Sequence, residues 1–380
     1  MLDVKLCEKR LQKFTKLCQE KGLDLAVIAD RKNVYYFTGF LRTSLAWMEP
    51  RMELLLVFPA RAAVLVVSRT FAEEARQRYK GDVLAYKDYD IHDKTATYPE
   101  DVAEALVNYL PGRGPLRKIG IESRYLSVTL ENAIRKVGEA AELVDISTVV
   151  PDMRKRKDPD EIRLLKEGIA LHKEGYTVAR KVAQKGKTEV DVYAAVTGAL
   201  CRKHGDYLFF GGDFVSGERG LKMGGPPTRR VLKQGELMIL DLWVMAHGYW
   251  VDTARTLVIG GKPKPDQQRI HRLVLKAVAA GEKMLRPGNR ACDVYAAVRA
   301  IFEKEGLAEN FPIHAGHGIG LHPHESPLLI PGCTEVLEEG MVATLEPGLY
   351  LEGLGGIRVE ENYLITAQGP AKLTNFPRYL

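Results

Sequence analysis

Four acids and a knot of histidines in the last 140 residues of this 380-residue chain could carry chemistry. Asp241 lies inside the apolar run ELMILDLW (236–243), and Asp252 inside WVDTARTLV (250–258). A carboxylate in the middle of an apolar strand is costly to bury unless something compensates it. Two of them, on strands joined by a turn containing His247-Gly248, invite a cation between them. Glu346 in MVATLE (341–346) and Glu360 in IRVEENYLI (357–365) repeat the arrangement with longer acids, on strand-like runs joined by a Gly-rich turn. Glu361 adjoins Glu360 and by strand alternation points to the opposite face, so only one of the two can share a site with Glu346. The run HAGHGIGLHPHE then places His314, His317, His322 and His324, four of the nine histidines, within eleven residues, among glycines that allow close backbone approach.

Two Asp, two Glu and at least one His form an oxygen-rich, sulfur-free donor set. Such ligands suit Mn²⁺, Co²⁺, Fe²⁺ or Zn²⁺ in a catalytic site rather than a structural zinc. Four carboxylates exceed what one ion needs, whereas two ions about 3.5–4 Å apart use bridging carboxylates naturally. The implied chemistry is metal-assisted hydrolysis of an amide or a similar bond.

Two kinds of element must position these groups. In the first 150 residues, short apolar runs at 23–28, 53–58, 63–67 and 117–121 read as strands alternating with helical stretches such as 70–79 and 100–110, an α/β layer. Pro151 and the basic run Arg154-Lys155-Arg156-Lys157 mark a composition shift, giving domains 1–150 and 151–380. Acids follow the basic run at once, so it reads as a solvated linker rather than a nucleic-acid patch. A helix opens at Asp158-Pro159 with Glu161 placed for a capping box, buries Ile162, Leu165, Ile169, Tyr176, Ala179 and Ala183 on one face, and ends at Gly186. The next runs from Thr188 to Gly205. The hexapeptide DVYAAV occurs twice, at 191–196 and 293–298, each time after a long helix (160–185, 265–286) and before a hairpin pattern. This predicts a second domain of two related halves with a site between them.

Composition narrows the class. The net charge of +6, with 46% hydrophobic and 27% charged residues, is ordinary for a globular chain. No apolar stretch is long enough to span a membrane, and the N-terminus reads as an amphipathic helix rather than a signal peptide. Five scattered cysteines, never spaced CxxC, fit reduced thiols and a cytoplasmic location.

In these motifs the chain resembles the creatinase/prolidase/aminopeptidase P superfamily, peptidase family M24. The matching segments are ILDLW, WVDTARTLV, HAGHGIGLHPHE, TLEPGLY and GIRVEENYLIT, with DRKNVYYFTGF (30–40) similar to the family's N-terminal domain. The resemblance implies an α/β (α+β) chain, in which a creatinase-like N-terminal domain precedes a pita-bread catalytic domain of two pseudo-symmetric helix–helix–hairpin halves. It implies that Asp241 chelates one metal, that Asp252 and Glu360 bridge both, and that His317 and Glu346 complete the other, Glu346 also handling the proton of the bridging water. His324 matches a substrate-contacting histidine, and Arg358 an arginine that serves the substrate or supports the ligands. His314 and His322 match no ligand position and read as local structure. Glu360 is thereby selected over Glu361.

Two positions depart from the family pattern. Gly224, in Leu221–Thr228 (LKMGGPPT), stands where a substrate-side histidine is usual, a role that His322 could take over. Trp243 stands where Gly is common and makes the pocket wall bulkier. The expected activity is hydrolysis of the Xaa-Pro bond of dipeptides or short peptides by a metal-bridging hydroxide, with two divalent ions (Mn²⁺ or Co²⁺ ahead of Zn²⁺ or Fe²⁺). The alternative is a same-fold hydrolase of a small non-peptide molecule, to which Gly224 points. A homodimer is expected from the resemblance, with neither nucleic acid nor membrane as partner. A metal-free binding protein would have lost ligands, and all five are present.

Overall fold

The apolar runs of the first 150 residues form a layered α/β unit. The computed structural model describes residues 1–42, 52–88, 91–92 and 97–380, which divide into the units Met1–Met153 and Arg154–Leu380. The first contains α1 (Val4–Glu20), β1 (Leu25–Ile28), α2 (Arg31–Thr38), β2 (Leu54–Val57), β3 (Val64–Ser68), α3 (Ala72–Arg78), β4 (Asp82–Tyr86), α4 (Pro99–Tyr109), β5 (Lys118–Ile121), α5 (Val128–Val137) and β6 (Glu142–Asp145). The strands form one mixed sheet in the order β4-β3-β2-β1-β5-β6. Strands β1, β2 and β3 are fully buried, as their unbroken apolar runs require. The edge strands β4 and β6 escape an apolar-run criterion because they are largely exposed, and their sequences, DVLAY and ELVD, are mixed. In the 30–40 motif, Asp30 caps α2 through Lys32 N–H (3.0 Å) and Gly39 ends it at φ 67°.

A short helix, α6 (Val149–Arg154), leads into the second unit, whose two halves follow one plan. The first half is α7 (Pro159–Val182), α8 (Glu189–His204), β7 (Phe209–Ser216), β8 (Leu237–Ala246) and β9 (Tyr249–Val258). The second is α9 (Pro265–Met284), α10 (Ala291–Glu303), β10 (His317–Gly318), β11 (Glu325–Leu328), β12 (Val342–Leu345), β13 (Gly348–Leu351), β14 (Gly355–Arg358), β15 (Glu361–Thr366) and β16 (Gly369–Lys372). The repeated Asp of DVYAAV has the same task in both halves. Asp191 accepts from Thr188 N–H at 2.7 Å, and Asp293 binds the Arg290 guanidinium at 2.8 Å, so each closes the first turn of its helix. An isolated β-bridge to a downstream residue precedes each helix, Thr188 with Val231 and Arg290 with Val336.

Two glycines extend the duplication into the core. A Cβ on Gly175 of α7 would come 3.0 Å from Leu242 and 3.3 Å from Val196; one on Gly281 of α9 would come 3.0 Å from Leu345 and 2.8 Å from Val298. Val196 and Val298 are the last letters of the two hexapeptides, and Leu242 and Leu345 adjoin Asp241 and Glu346. In each half, a side-chain-free position lets the long helix pack closely against both the second helix and the residue next to an acid. Interiors packed at crystal-like density leave no slack for an added methyl there.

Three expectations need correction. The long helix ends at Val182 with Ala183 as its cap, three residues before Gly186, which lies in the following turn. The acids of the second half do not lie within strands joined by a simple turn. Glu346 and Glu360 fall just past β12 and just before β15, and the segment between them folds into its own antiparallel ribbon, β13–β14. Nor is the basic run a solvated linker. Arg154 and Lys157 are buried against Glu325, Lys155 pairs with Glu335 at 2.5 Å, and Arg156 with Glu338 at 2.7 Å. Those partners lie about 170–180 residues away in sequence, so only folding reveals that the run is neutralised.

Candidate metal centre

The hairpin β8–β9 is a full antiparallel ladder turned by His247-Gly248, both at positive φ (52° and 84°). Its register sets Trp243 opposite Asp252 and Asp241 opposite Ala254. With alternation, Asp241, Trp243 and Asp252 share one face, and Asp213 on β7, the cross-strand partner of Asp241, joins them. The second half is brought onto this face by hydrogen bonds: Glu360 N–H donates to Ala254 O (3.0 Å), and the Thr256 hydroxyl accepts from Arg358 N–H (3.0 Å) and donates to Arg358 O (3.1 Å). Glu346 is placed by its N–H on Ala315 O (2.9 Å), beside the histidine run.

The predicted donors converge. Asp252, His317 and Glu360 each offer a ligand atom within 4.8 Å of the others, as do Asp241, Glu346 and Glu360, so Glu360 belongs to both triads. His317 Nδ1 lies 2.9 Å from Gly318 O, which makes Nδ1 the protonated nitrogen and turns the Nε2 lone pair inward, the tautomer a metal ligand requires. Glu361 points away and is ion-paired with Arg255 (3.2 Å), Lys372 (3.0 Å) and Arg378 (2.5 Å).

Divalent ions fit these residues because the buried donors lack partners. Asp252 Oδ1, both Glu360 carboxylate oxygens and His317 Nε2 are buried and without a hydrogen bond. Orphaned buried carboxylate oxygens cost several kcal/mol unless a cation compensates them. Burial, compounded by Asp241 and Glu360, pushes Asp252 well above the usual carboxylate range, and burial, compounded by Glu346 and Asp241, does the same to Glu360. For Glu346, burial acts upward too, but contacts with His314 (2.9 Å) and His317 (3.2 Å) outweigh it and hold it well below that range.

Several residues around the donors have tasks that the sequence did not reveal. His314, expected to be local structure, stands in the site on Glu346 Oε1 and groups with His317 and His324. Burial lowers the His314 imidazole, but its bond to Glu346 prevails and raises it. Partial desolvation beside the site and neighbouring His317 lower His324, whose side chain still reaches solvent, to about 4, leaving it neutral at physiological pH. His322 remains local, its backbone N–H bonded to Glu325 at 2.9 Å. Arg358 is buried, with Nη1 on Asp241 (2.5 Å) and Asp213 (3.4 Å), Nε on Tyr350 OH (2.9 Å) and Nη2 on Met223 O (2.8 Å). Trp243 Nε1 donates to Asp241 Oδ1 at 3.1 Å. The space above Gly224 is taken by Asp213: a Cβ there would lie 2.3 Å from its Oδ2. Asp213 is a buried acid inside a strand, the same signal that marked Asp241, but the glycines of FFGGDFVS obscure the strand.

Comparison with known proteins gives the same picture. Residues 163–367 match metallopeptidase family M24, and residues 10–156 the creatinase/prolidase N-terminal domain. The chain is 30% identical to Bacillus subtilis YkvY over 98% of its length and 99% of that protein's. It is 29% identical to the Xaa-Pro dipeptidase of Pyrococcus furiosus, covering 98% and 99%. The prolidase structure from Pyrococcus horikoshii superposes with a TM-score of 0.83 at 27% identity, over 98% of this chain and 99% of that one. The second unit thus has the pita-bread fold of the prolidases, and no helix among the described residues is long and apolar enough to cross a membrane. With one family matched over more than half its length and relatives aligned nearly end to end, the chain belongs to metallopeptidase family M24 and is a peptidase that uses divalent metal.

Proposed function

We propose that the chain hydrolyses the Xaa-Pro bond of dipeptides or short peptides at a two-metal centre. Two acidic triads sharing Glu360 carry this reading, because one ion does not need four carboxylates and two ions need a bridge. In this reading Asp241 would hold one ion, His317 and Glu346 the other, and Asp252 and Glu360 would serve both. Mn²⁺ or Co²⁺ is the preferred pair, with Zn²⁺ and Fe²⁺ sharing the donor set. Bound there, the ions supply a nucleophilic water at neutral pH and polarise the scissile carbonyl.

The side chains do the rest. Glu346, kept ionised by its bond from His314, takes the proton from the attacking water and passes it to the departing proline nitrogen. His324, neutral and exposed, donates a hydrogen bond to the carbonyl oxygen as charge develops on it. Arg358, with its donors on Asp241, Asp213, Tyr350 and Met223, holds the ligand shell rather than the substrate. Proline needs a dedicated site because its tertiary amide has no N–H and its ring blocks the extended binding that other peptidases use.

Residues 1–150 and 151–380 serve as the N-terminal and catalytic domains of a homodimeric, cytoplasmic enzyme in this reading. The five free cysteines accord with a reducing compartment, and the Xaa-Pro name of the Pyrococcus furiosus relative supports the substrate. A small non-peptide substrate is the second reading, favoured by Asp213 filling the space above Gly224. Ala-Pro, Leu-Pro, Arg-Pro-Pro and Ala-Ala, assayed with Mn²⁺, Co²⁺ or Zn²⁺ on the wild type and on Asp252→Asn, separate the two. Xaa-Pro cleavage that disappears in the variant supports the peptidase. Silence across the panel in a protein that still binds two ions sinks it in favour of the non-peptide hydrolase.

A further inference from the structure

The two oxygens of Asp241 are treated differently from those of the other acids. Asp252 Oδ1 and both oxygens of Glu360 have no hydrogen-bond donor, whereas Asp241 has one on each side: Trp243 Nε1 on Oδ1 at 3.1 Å and Arg358 Nη1 on Oδ2 at 2.5 Å. Trp243 is two residues along the same strand, so alternation returns its side chain to the face of Asp241, and the register sets it opposite Asp252. Its neighbour across β7 is Gly211, where a Cβ would sit 3.5 Å from the indole, an ordinary contact. Packing against Gly211 therefore leaves room for side chains of several shapes and does not demand an indole. The residue is also 38% exposed, unusual for so large an apolar group and inconsistent with a core-filling task. What tryptophan alone among the large apolar residues brings here is an N–H donor.

We propose that Trp243 is a positioning residue for Asp241, its indole N–H fixing the carboxylate rotamer in which one lone pair of Oδ1 remains for a divalent ion. This deepens the two-metal reading above and rests on Asp241 being a ligand. Arg358 steadies Oδ2, and Asp213 beside it supplies a counter-charge, so that the guanidinium does not leave Asp241 neutralised. The indole carries no charge and orients Asp241 without competing for its charge. Outer-shell donors of this kind, when removed, typically lower metal affinity or activity by about 10–100-fold.

The experiment is a calorimetric titration of the metal-free full chain with Mn²⁺, comparing wild type, Trp243→Phe and Asp241→Asn. Phe keeps an aromatic ring against Gly211 and removes only the donor. Trp243→Phe is expected to weaken one of two binding steps about 10–100-fold and to leave the other unchanged. Asp241→Asn is expected to remove that same step. Tryptophan emission gives a second readout: Co²⁺ quenches it in the wild type, and the part lost in Trp243→Phe follows the weakened step. If Asp241→Asn loses a step while Trp243→Phe binds both ions within twofold of wild type, the positioning role is overturned and the two-metal reading stands. If Asp241→Asn keeps both steps, Asp241 is not a ligand, and both ideas fall.

Discussion

Adding a methyl group at Gly224 tests whether Asp213 holds the space that a side chain would need. The backbone of Gly224 is not in the left-handed region, so alanine is conformationally allowed and only the contact decides the outcome. Its Cβ would stand 2.3 Å from Asp213 Oδ2 and 2.6 Å from Oδ1 and Cγ, far inside van der Waals contact. Asp213 cannot swing away freely, because Gly225 N–H holds Oδ1 at 2.7 Å and Arg358 approaches Oδ2 at 3.4 Å. Losing one hydrogen bond to a buried carboxylate costs about 1.5–3 kcal/mol, while replacing glycine by alanine returns about 0.4–1 kcal/mol by restricting the unfolded chain. Gly224→Ala should therefore destabilise the catalytic unit by about 1–2 kcal/mol, a fall of roughly 3–6 °C in thermal midpoint for a domain of this size. In an Asp213→Ala background the obstacle is gone, and the same substitution should raise the midpoint slightly. The assay is thermal unfolding of the four proteins of this double-mutant cycle. An equal change in both backgrounds would refute the reasoning, because it would show that Asp213 and position 224 do not compete for space.

Two further predictions follow from the placement of acids. Glu360→Gln should abolish metal-dependent hydrolysis and reduce bound metal, whereas Glu361→Gln should retain both and lose thermal stability, because Glu361 is committed to Arg255, Lys372 and Arg378; metal content by elemental analysis and Ala-Pro turnover check the pair. Burial would raise Glu325, but Arg154 and Lys157 outweigh it and hold it at about 2, below its unfolded value of 4.5. A lowered carboxylate stabilises the fold above the unfolded pKa and loses that contribution as pH falls through the folded one. Glu325→Gln should therefore cost about 3 kcal/mol at pH 7, the gap to wild type closing between pH 4.5 and 2 in denaturant titrations.

The motifs carried much of this protein by themselves, because each rests on a local rule. An Asp in an apolar strand, a capping box at Asp158–Glu161 and a repeated hexapeptide need only the neighbouring residues to be read. The hairpin β8–β9 and the candidate donors Asp241, Asp252 and Glu346 were legible in this way, whereas His317 was singled out from the four clustered histidines by the family resemblance. Alternation left Glu360 and Glu361 undecided, and family resemblance chose between them; in the fold, three cations around Glu361 give the physical reason. Other features depended on residues distant in the chain. The basic run 154–157 is neutralised by acids at 325, 335 and 338, His314 reaches Glu346, and Asp213 meets Gly224 because the chain after β7 folds back onto it, Phe214 N–H bonding Gly225 O and Gly225 N–H bonding Asp213. Spacing and periodicity specify which face of an element a residue occupies. Which element that face then meets is decided by tertiary packing: Arg358 reaches Asp241 from the other half, His314 meets Glu346 within the second half, and Asp213 crowds Gly224 within the first.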